Sequence, residues 1–159
     1  MSETASPSAG QRINAFEANA TDGLFSLADL QHTLVLYFYP KDNTPGCTTQ
    51  SMDFRDHQAS FTDAGAVIVG VSRDSIKSHE NFRKKYELPF ALISDPEETL
   101  CNQFGVMKNK MMYGKAVRGI ERSTFVIAQD RTLLKAWRGV KIPGHVEEVL
   151  TFVRSLKSD

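Results

Sequence analysis

TLVLYFYPKDNTPGCTTQ, from Thr33 to Gln50, reads as a core strand running through a short polar loop into a helix. Its first seven residues, Thr33 to Tyr39, are continuously apolar, β-branched or aromatic, the pattern of a strand buried on both faces. Pro40 ends that strand because proline brings no N–H to a ladder. A helix is expected to begin near Pro45 or Cys47, to carry Phe54, Gln58 and Phe61 at helical spacing, and to stop before Gly65. A loop that leaves a core strand and opens a helix is where an α/β sheet places its ligands.

Working outward, the polar stretch with Asn19, Asp22 and Gly23 lies between two short apolar pieces and predicts a hairpin or bend. Ala66 to Val71 (AVIVGV) is a second buried strand, and Phe90 to Ile93 a third. Ser75 to Tyr86 repeats Ile76, Phe82 and Tyr86 on one side, as a surface helix does. Glu97 to Phe104 is a short helix closed by Gly105. Thr124 to Ile127 and Leu133 to Trp137 flank a Gln129–Asp130 turn, and Val146, Val149, Leu150, Val153 and Leu156 give a closing helix its apolar stripe. Strands alternating with helices, then a hairpin and a last helix, predict an α/β fold of the thioredoxin-like type. It is a three-layer sandwich with a mixed central sheet and helices on both faces.

The 159 residues suit one domain, with residues 1–10 a loose Ser-, Ala-, Pro- and Gly-containing tail and residues 11–159 the folded unit. Nineteen basic residues balance nineteen acidic ones, so net charge points to neither a nucleic-acid nor a membrane partner. The first residues carry no apolar run, and the stretch around Leu34 to Tyr39 is too short to span a bilayer, so the expected compartment is the cytoplasm. Two cysteines do not make a disulfide scaffold, and in a reducing compartment they read as thiols.

Cys47 is expected in the first turn of its helix, where free N–H groups and the helix dipole favour an anion. A thiol there ionises more readily, and the thiolate is the nucleophile. A lone cysteine is more commonly an inert small hydrophobe. The flanking Gly46, Thr48, Thr49 and Gln50, however, do not describe a core position. Thr44 can aim a hydroxyl at the sulfur or at an oxygen bound beside it, although a threonine before a helix also serves as a cap. Pro40 and Pro45 stiffen the loop.

The spacing Pro40-x3-Thr44-x2-Cys47 resembles the peroxiredoxin active-site motif, and YFYPKDNTPGCT is similar to the Q-type peroxiredoxins, or bacterioferritin comigratory proteins. The likeness continues through DFRD (Asp53 to Asp56), LISD (Leu92 to Asp95), FGV (Phe104 to Val106) and GIERSTFVI (Gly119 to Ile127). It implies a thiol-dependent peroxidase that reduces H2O2 and organic hydroperoxides, an antioxidant in cell redox homeostasis. Cys47 would be the peroxidatic cysteine, Thr44 and Pro40 pocket residues, and Arg122 the distant arginine that stabilises the thiolate. An arginine opening a strand is ordinarily a solvated surface residue; only the resemblance promotes Arg122. A guanidinium there would favour the anionic sulfur and bond a peroxide oxygen as charge develops on it, and Gln50 would orient it. No cofactor is implied, because sulfur carries the electrons, and no metal-ligand spacing is present. The partners would be a hydroperoxide and a thiol reductant (thioredoxin, glutaredoxin or glutathione), and the protein a monomer.

Many Q-type members carry a resolving cysteine five residues after the peroxidatic one, where this chain has Met52, or in the following helix near Arg83. The only other thiol is Cys101, read as half-buried and structural, or alternatively as an unusual resolving cysteine that would need local unfolding. A single-cysteine mechanism with an external thiol is therefore expected. Gln50 stands three residues after Cys47, so a thioredoxin-type C-x-x-C exchanger is excluded. A redox sensor or holdase built on Cys47 is the alternative class. His32, His57, His79 and His145 are scattered and expected at the surface, Arg83 to Lys85 form a solvated cationic cluster, and Met107 to Lys115 reads as a long loop at the pocket edge.

Overall fold

The computed structural model describes residues 7–156. A hairpin of β1 (Glu17–Ala20) and β2 (Gly23–Ser26) precedes β3 (Thr33–Phe38), α1 (Pro45–Asp56), α2 (Gln58–Asp63) and β4 (Ala66–Ser72). Then come α3 (Ile76–Tyr86), β5 (Ala91–Ser94), α4 (Thr99–Gln103), β6 (Met107–Met112), β7 (Lys115–Ile120), β8 (Ser123–Ile127), β9 (Leu133–Arg138) and α5 (His145–Ser155). Seven strands form one mixed sheet in the order β2-β1-β5-β4-β3-β8-β9. The pairs β3–β4 and β4–β5 are parallel, and β8 runs antiparallel to β3.

The central strand explains its own composition. Leu34, Leu36 and Phe38 point to one face, where they meet Val69, Val71, Ile93 and Phe125. Val35 and Tyr37 point to the other, with Ile68, Leu92 and Val126. Both faces are covered, so alternation vanishes and the strand is apolar throughout. The helices α1, α2, α3 and α5 deliver Phe54, Phe61, Phe82, Val149 and Val153 to the Tyr37 face, while α4 delivers Leu100 and Cys101 to the Phe38 face. The expected three-layer thioredoxin-like sandwich is what results. Gly70, opposite Tyr37 in register, leaves room for the tyrosine ring, because a Cβ there would lie 2.8 Å from Tyr37 Cζ and 2.9 Å from Leu92 Cδ2.

The structure differs from the sequence reading in several places. The helix after Cys47 breaks at His57, whose ring N–H donates to the Asp53 carbonyl at 2.8 Å while its backbone N–H turns to Phe54 O at 3.2 Å. Side chain thus replaces main chain in the ladder, and the axis restarts at Gln58. Met107 to Lys115 is no loop but most of a two-stranded hairpin, closed by Tyr113 and Gly114, both at positive φ as a two-residue hairpin turn needs. Met111 and Tyr113 are exposed, so the outer half stands clear of the core. His79 and His145 are buried rather than at the surface. Arg83 is not simply solvated: its guanidinium bonds Thr21 Oγ1 at 3.2 Å and the Leu88 carbonyl at 3.1 Å. Residues 1–6 of the expected tail lie outside the described residues, and Gly10 N–H donates to Leu133 O at 2.7 Å.

Candidate active site

Beyond Phe38 the chain turns through Pro40 and through Asn43, which takes a left-handed φ of 64°. Thr44 stands at the N-cap of α1 and Pro45 at the first helical position, where a missing N–H costs nothing. The Thr44 hydroxyl does not cap the helix; it donates to the Lys41 carbonyl at 2.8 Å. The first intrahelical bond joins Thr48 N to Thr44 O, so the amides of the opening turn face outward to the site as a helix N-terminus requires. Cys47 lies in that turn, 1% exposed.

Arg122 reaches the site from β8's entry, 75 residues away in sequence. Its Nη2 lies 3.5 Å from Cys47 Sγ, and its Nη1 donates to Gln50 Oε1 at 2.6 Å. The register sets this up: Ser123 pairs with Phe38, so the residue before β8 sits beside the loop that follows β3. Gln50 is fully buried one turn after Cys47, and its Nε2 has no protein partner among the described residues. Gly46 makes room for the guanidinium, because a Cβ there would lie 3.3 Å from Arg122 Nη2 and 3.2 Å from Ile142 Cδ1. The Arg122 carbonyl accepts from Val140 N at 2.9 Å, which draws the following loop, with Ile142, across the helix start. Behind Cys47, Tyr37 bonds Ser51 Oγ at 2.8 Å and stacks on Phe54 at 4.6 Å. Burial pushes the Tyr37 phenol far up, so it stays neutral.

A thiol at a helix N-terminus, a guanidinium on the sulfur and a threonine at the mouth suit a nucleophile that attacks a small polar molecule. The comparisons with known proteins give the family. The chain matches the AhpC/TSA family over residues 9–136. It is 53% identical over 124 residues to a peroxiredoxin Bcp of Xanthomonas campestris, covering 78% of each chain. The chain belongs to the peroxiredoxins of the AhpC/TSA family. It is similar to the crystal structure of a Xylella fastidiosa PrxQ mutant, with a TM-score of 0.90 and 41% identity over 95% of this chain and 98% of that one. It also resembles the Xanthomonas campestris bacterioferritin comigratory protein, whose structures concern alkyl peroxide reduction, with a TM-score of 0.85 and 46% identity over 90% and 92%. As a Q-type peroxiredoxin the chain is a thiol-dependent peroxidase.

In this peroxiredoxin Cys101 is fully buried, not half-buried, and packs on the Phe38 face, whereas Cys47 belongs to the Tyr37 face. Its N–H donates to Asp95 Oδ2 at 2.8 Å. Burial first, and the thiol's own hydrogen bond to the Asp95 carboxylate second, push the thiol far up, so it stays protonated. Pro40 and Thr44 are half-buried at the mouth of the site. Sequence reasoning missed Ile142, which nothing marks as a site residue, and it missed Asp42 and His79, although Asp42 lies within the Pro40–Cys47 motif.

His145, at the start of α5, holds Thr124 Oγ1 at 2.8 Å through Nε2. Burial above all pushes its pKa down to about 4; the Glu148 carboxylate opposes that shift, and the Arg122 charge adds to it. An unfolded histidine takes its proton near pH 6.5, so between pH 6.5 and about 4 only the unfolded chain binds it, and stability falls on acidification through that window. Allowing for solvent screening, the loss is about 1–2 kcal/mol. Urea unfolding of His145→Gln at pH 7 and pH 4.5 should show a difference smaller by that amount than wild type; an equal difference would place the acid sensitivity elsewhere.

Proposed function

We propose that Cys47 is the peroxidatic thiol and that it works without a second cysteine of this chain. The observation that carries this is Arg122 Nη2, 3.5 Å from Cys47 Sγ at the open turn of α1. The guanidinium and the free amides of the helix terminus are donors aimed at the sulfur and at any negative charge that develops beside it. The thiolate attacks one oxygen of H2O2 or an organic hydroperoxide; the S–O bond forms, the O–O bond breaks, and the departing oxygen leaves as water or alcohol once protonated. Cys47 is oxidised to a sulfenic acid and the peroxide is reduced by two electrons. The Thr44 hydroxyl, whose proton is given to Lys41 O, keeps lone pairs to accept the peroxide O–H. Arg122 bonds the departing oxygen as charge grows on it, held in its orientation by Gln50. Pro40 walls the mouth.

An external thiol then attacks the sulfenic sulfur, releasing water and leaving a mixed disulfide. A second thiol displaces Cys47 and carries off the disulfide. Glutathione, glutaredoxin or thioredoxin supplies that chemistry. Cys101 lies across the sheet from Cys47 and its thiol is held protonated, which supports a single-cysteine cycle. The test is Cys101→Ser. It should keep wild-type turnover with dithiothreitol and with glutathione, and one equivalent of peroxide should give a protein that one dimedone labels at Cys47. A Cys47–Cys101 disulfide in oxidised wild type, with glutathione-supported turnover lost in Cys101→Ser, would overturn this reading.

A further inference from the structure

Beneath the loop that carries Pro40 and Thr44 lies a polar cluster that the chemistry above does not use. The carboxylate of Asp42, buried, accepts from Tyr39 Oη at 2.6 Å, from Ser78 Oγ at 2.8 Å and from His79 Nδ1 at 2.7 Å. His79, also buried, places its other nitrogen 2.9 Å from the Ile93 carbonyl, which can only accept. Both ring nitrogens therefore face acceptors, and the ring is tied at both ends. Asp74 completes the cluster: its Oδ2 accepts from the Asp42 backbone N–H at 2.9 Å and from Ser72 Oγ at 2.6 Å. The ligand atoms of Asp42, Asp74 and His79 lie within 4.8 Å of one another, but each is committed to a hydrogen bond within the fold, so the group is a clamp and not a metal site.

What the clamp holds is one peptide plane. The Asp42 N–H and the Lys41 C=O belong to the same rigid unit. Asp74 pins its N–H end, and the three donors on the Asp42 side chain fix the residue behind it. The opposite end, Lys41 O, receives the Thr44 hydroxyl at 2.8 Å. The direction of that carbonyl decides where the Thr44 proton points, and so which lone pairs face the Cys47 pocket. We infer that Asp42 and His79 are positioning residues for the peroxide reaction, acting through the Lys41–Asp42 peptide on the hydroxyl of Thr44. The inference rests on Cys47 being the peroxidatic thiol.

The test is the rate of Cys47 oxidation by H2O2 in single-turnover experiments, with iodoacetamide alkylation of the same thiol as a control. Alkylation needs an accessible thiolate but no peroxide alignment. Asp42→Asn and His79→Gln should slow peroxide oxidation by about 10- to 100-fold, the scale of a misplaced positioning group, while alkylation stays at the wild-type rate. Asp42→Asn should add no further loss when Thr44 is already alanine, because the two residues act through one hydroxyl. The double variant Asp42→Asn/His79→Gln replaces both partners of the buried contact with neutral amides and carries the same comparison if either single variant does not fold. Multiplying losses in the Thr44→Ala background, equal slowing of oxidation and alkylation, or an unchanged oxidation rate would each overturn the inference. A wild-type protein whose Cys47 reacts no faster with H2O2 than a free thiol would instead overturn the peroxidatic reading beneath it.

Discussion

Cys47→Ser should retain the fold and lose all peroxide turnover supported by dithiothreitol. The side chain fits its site with one atom exchanged, so thermal unfolding stays close to wild type. The chemistry does not survive the exchange. A serine hydroxyl at a helix N-terminus remains protonated at neutral pH, and oxygen cannot take up the two electrons' worth of oxidation that sulfur accepts on the way to a sulfenic acid. Arg122 would then face a neutral oxygen in place of a sulfur that can ionise. Peroxide loss in the presence of excess dithiothreitol, followed over many equivalents per protein, gives the measurement. Turnover by Cys47→Ser above the reagent background would remove Cys47 from the reaction. Wild-type protein that consumes one equivalent and stops, with dithiothreitol still in excess, would fit a sensor that responds once and not an enzyme that recycles.

The residues that were legible in the sequence are those whose neighbours along the chain determine them. Thr33 to Tyr39 declared a doubly buried strand because every residue is apolar, β-branched or aromatic, and β3 covers all of it but Tyr39. Pro45 and Cys47 declared a helix start because proline suits the first turn and the following residues keep helical spacing. The β6–β7 hairpin was hidden because β6 interleaves lysines with methionines, because β7 is mostly exposed, and because the turn is Tyr113–Gly114, without the asparagine or aspartate that marks most such turns. His79 was illegible for another reason. Its partner Asp42 lies 37 residues earlier, and the two meet only when α3 packs beside the active-site loop. Arg122 had no local signature at all. A charge before a strand is ordinary; the antiparallel register of β8 on β3 is what carries it to Cys47. Local pattern therefore made Cys47 and its helix legible, while the groups that surround it depend on pairings far apart in sequence.

Arg122→Ala is the second large effect, and it separates two tasks of one side chain. The guanidinium touches Cys47 Sγ with Nη2 and Gln50 Oε1 with Nη1, so it stands fixed before any substrate arrives. A donor prepositioned where charge develops is worth about 10²–10³ in rate, and the Cys47 oxidation rate should fall by that factor. Alkylation of Cys47 by iodoacetamide should fall less, because it draws on the guanidinium only to favour the thiolate and not to receive negative charge on a departing oxygen. Arg122→Lys should lie between wild type and alanine. A lysine keeps the charge but has no planar fork, and cannot satisfy Gln50 and the sulfur together in one geometry. Gly46, which leaves 3.3 Å between a notional Cβ and Arg122 Nη2, shows how closely the backbone has been fitted to the guanidinium. If oxidation and alkylation fell by the same factor in Arg122→Ala, the arginine would serve only to favour the sulfur anion. If neither fell, the site drawn here around Cys47 would be wrong.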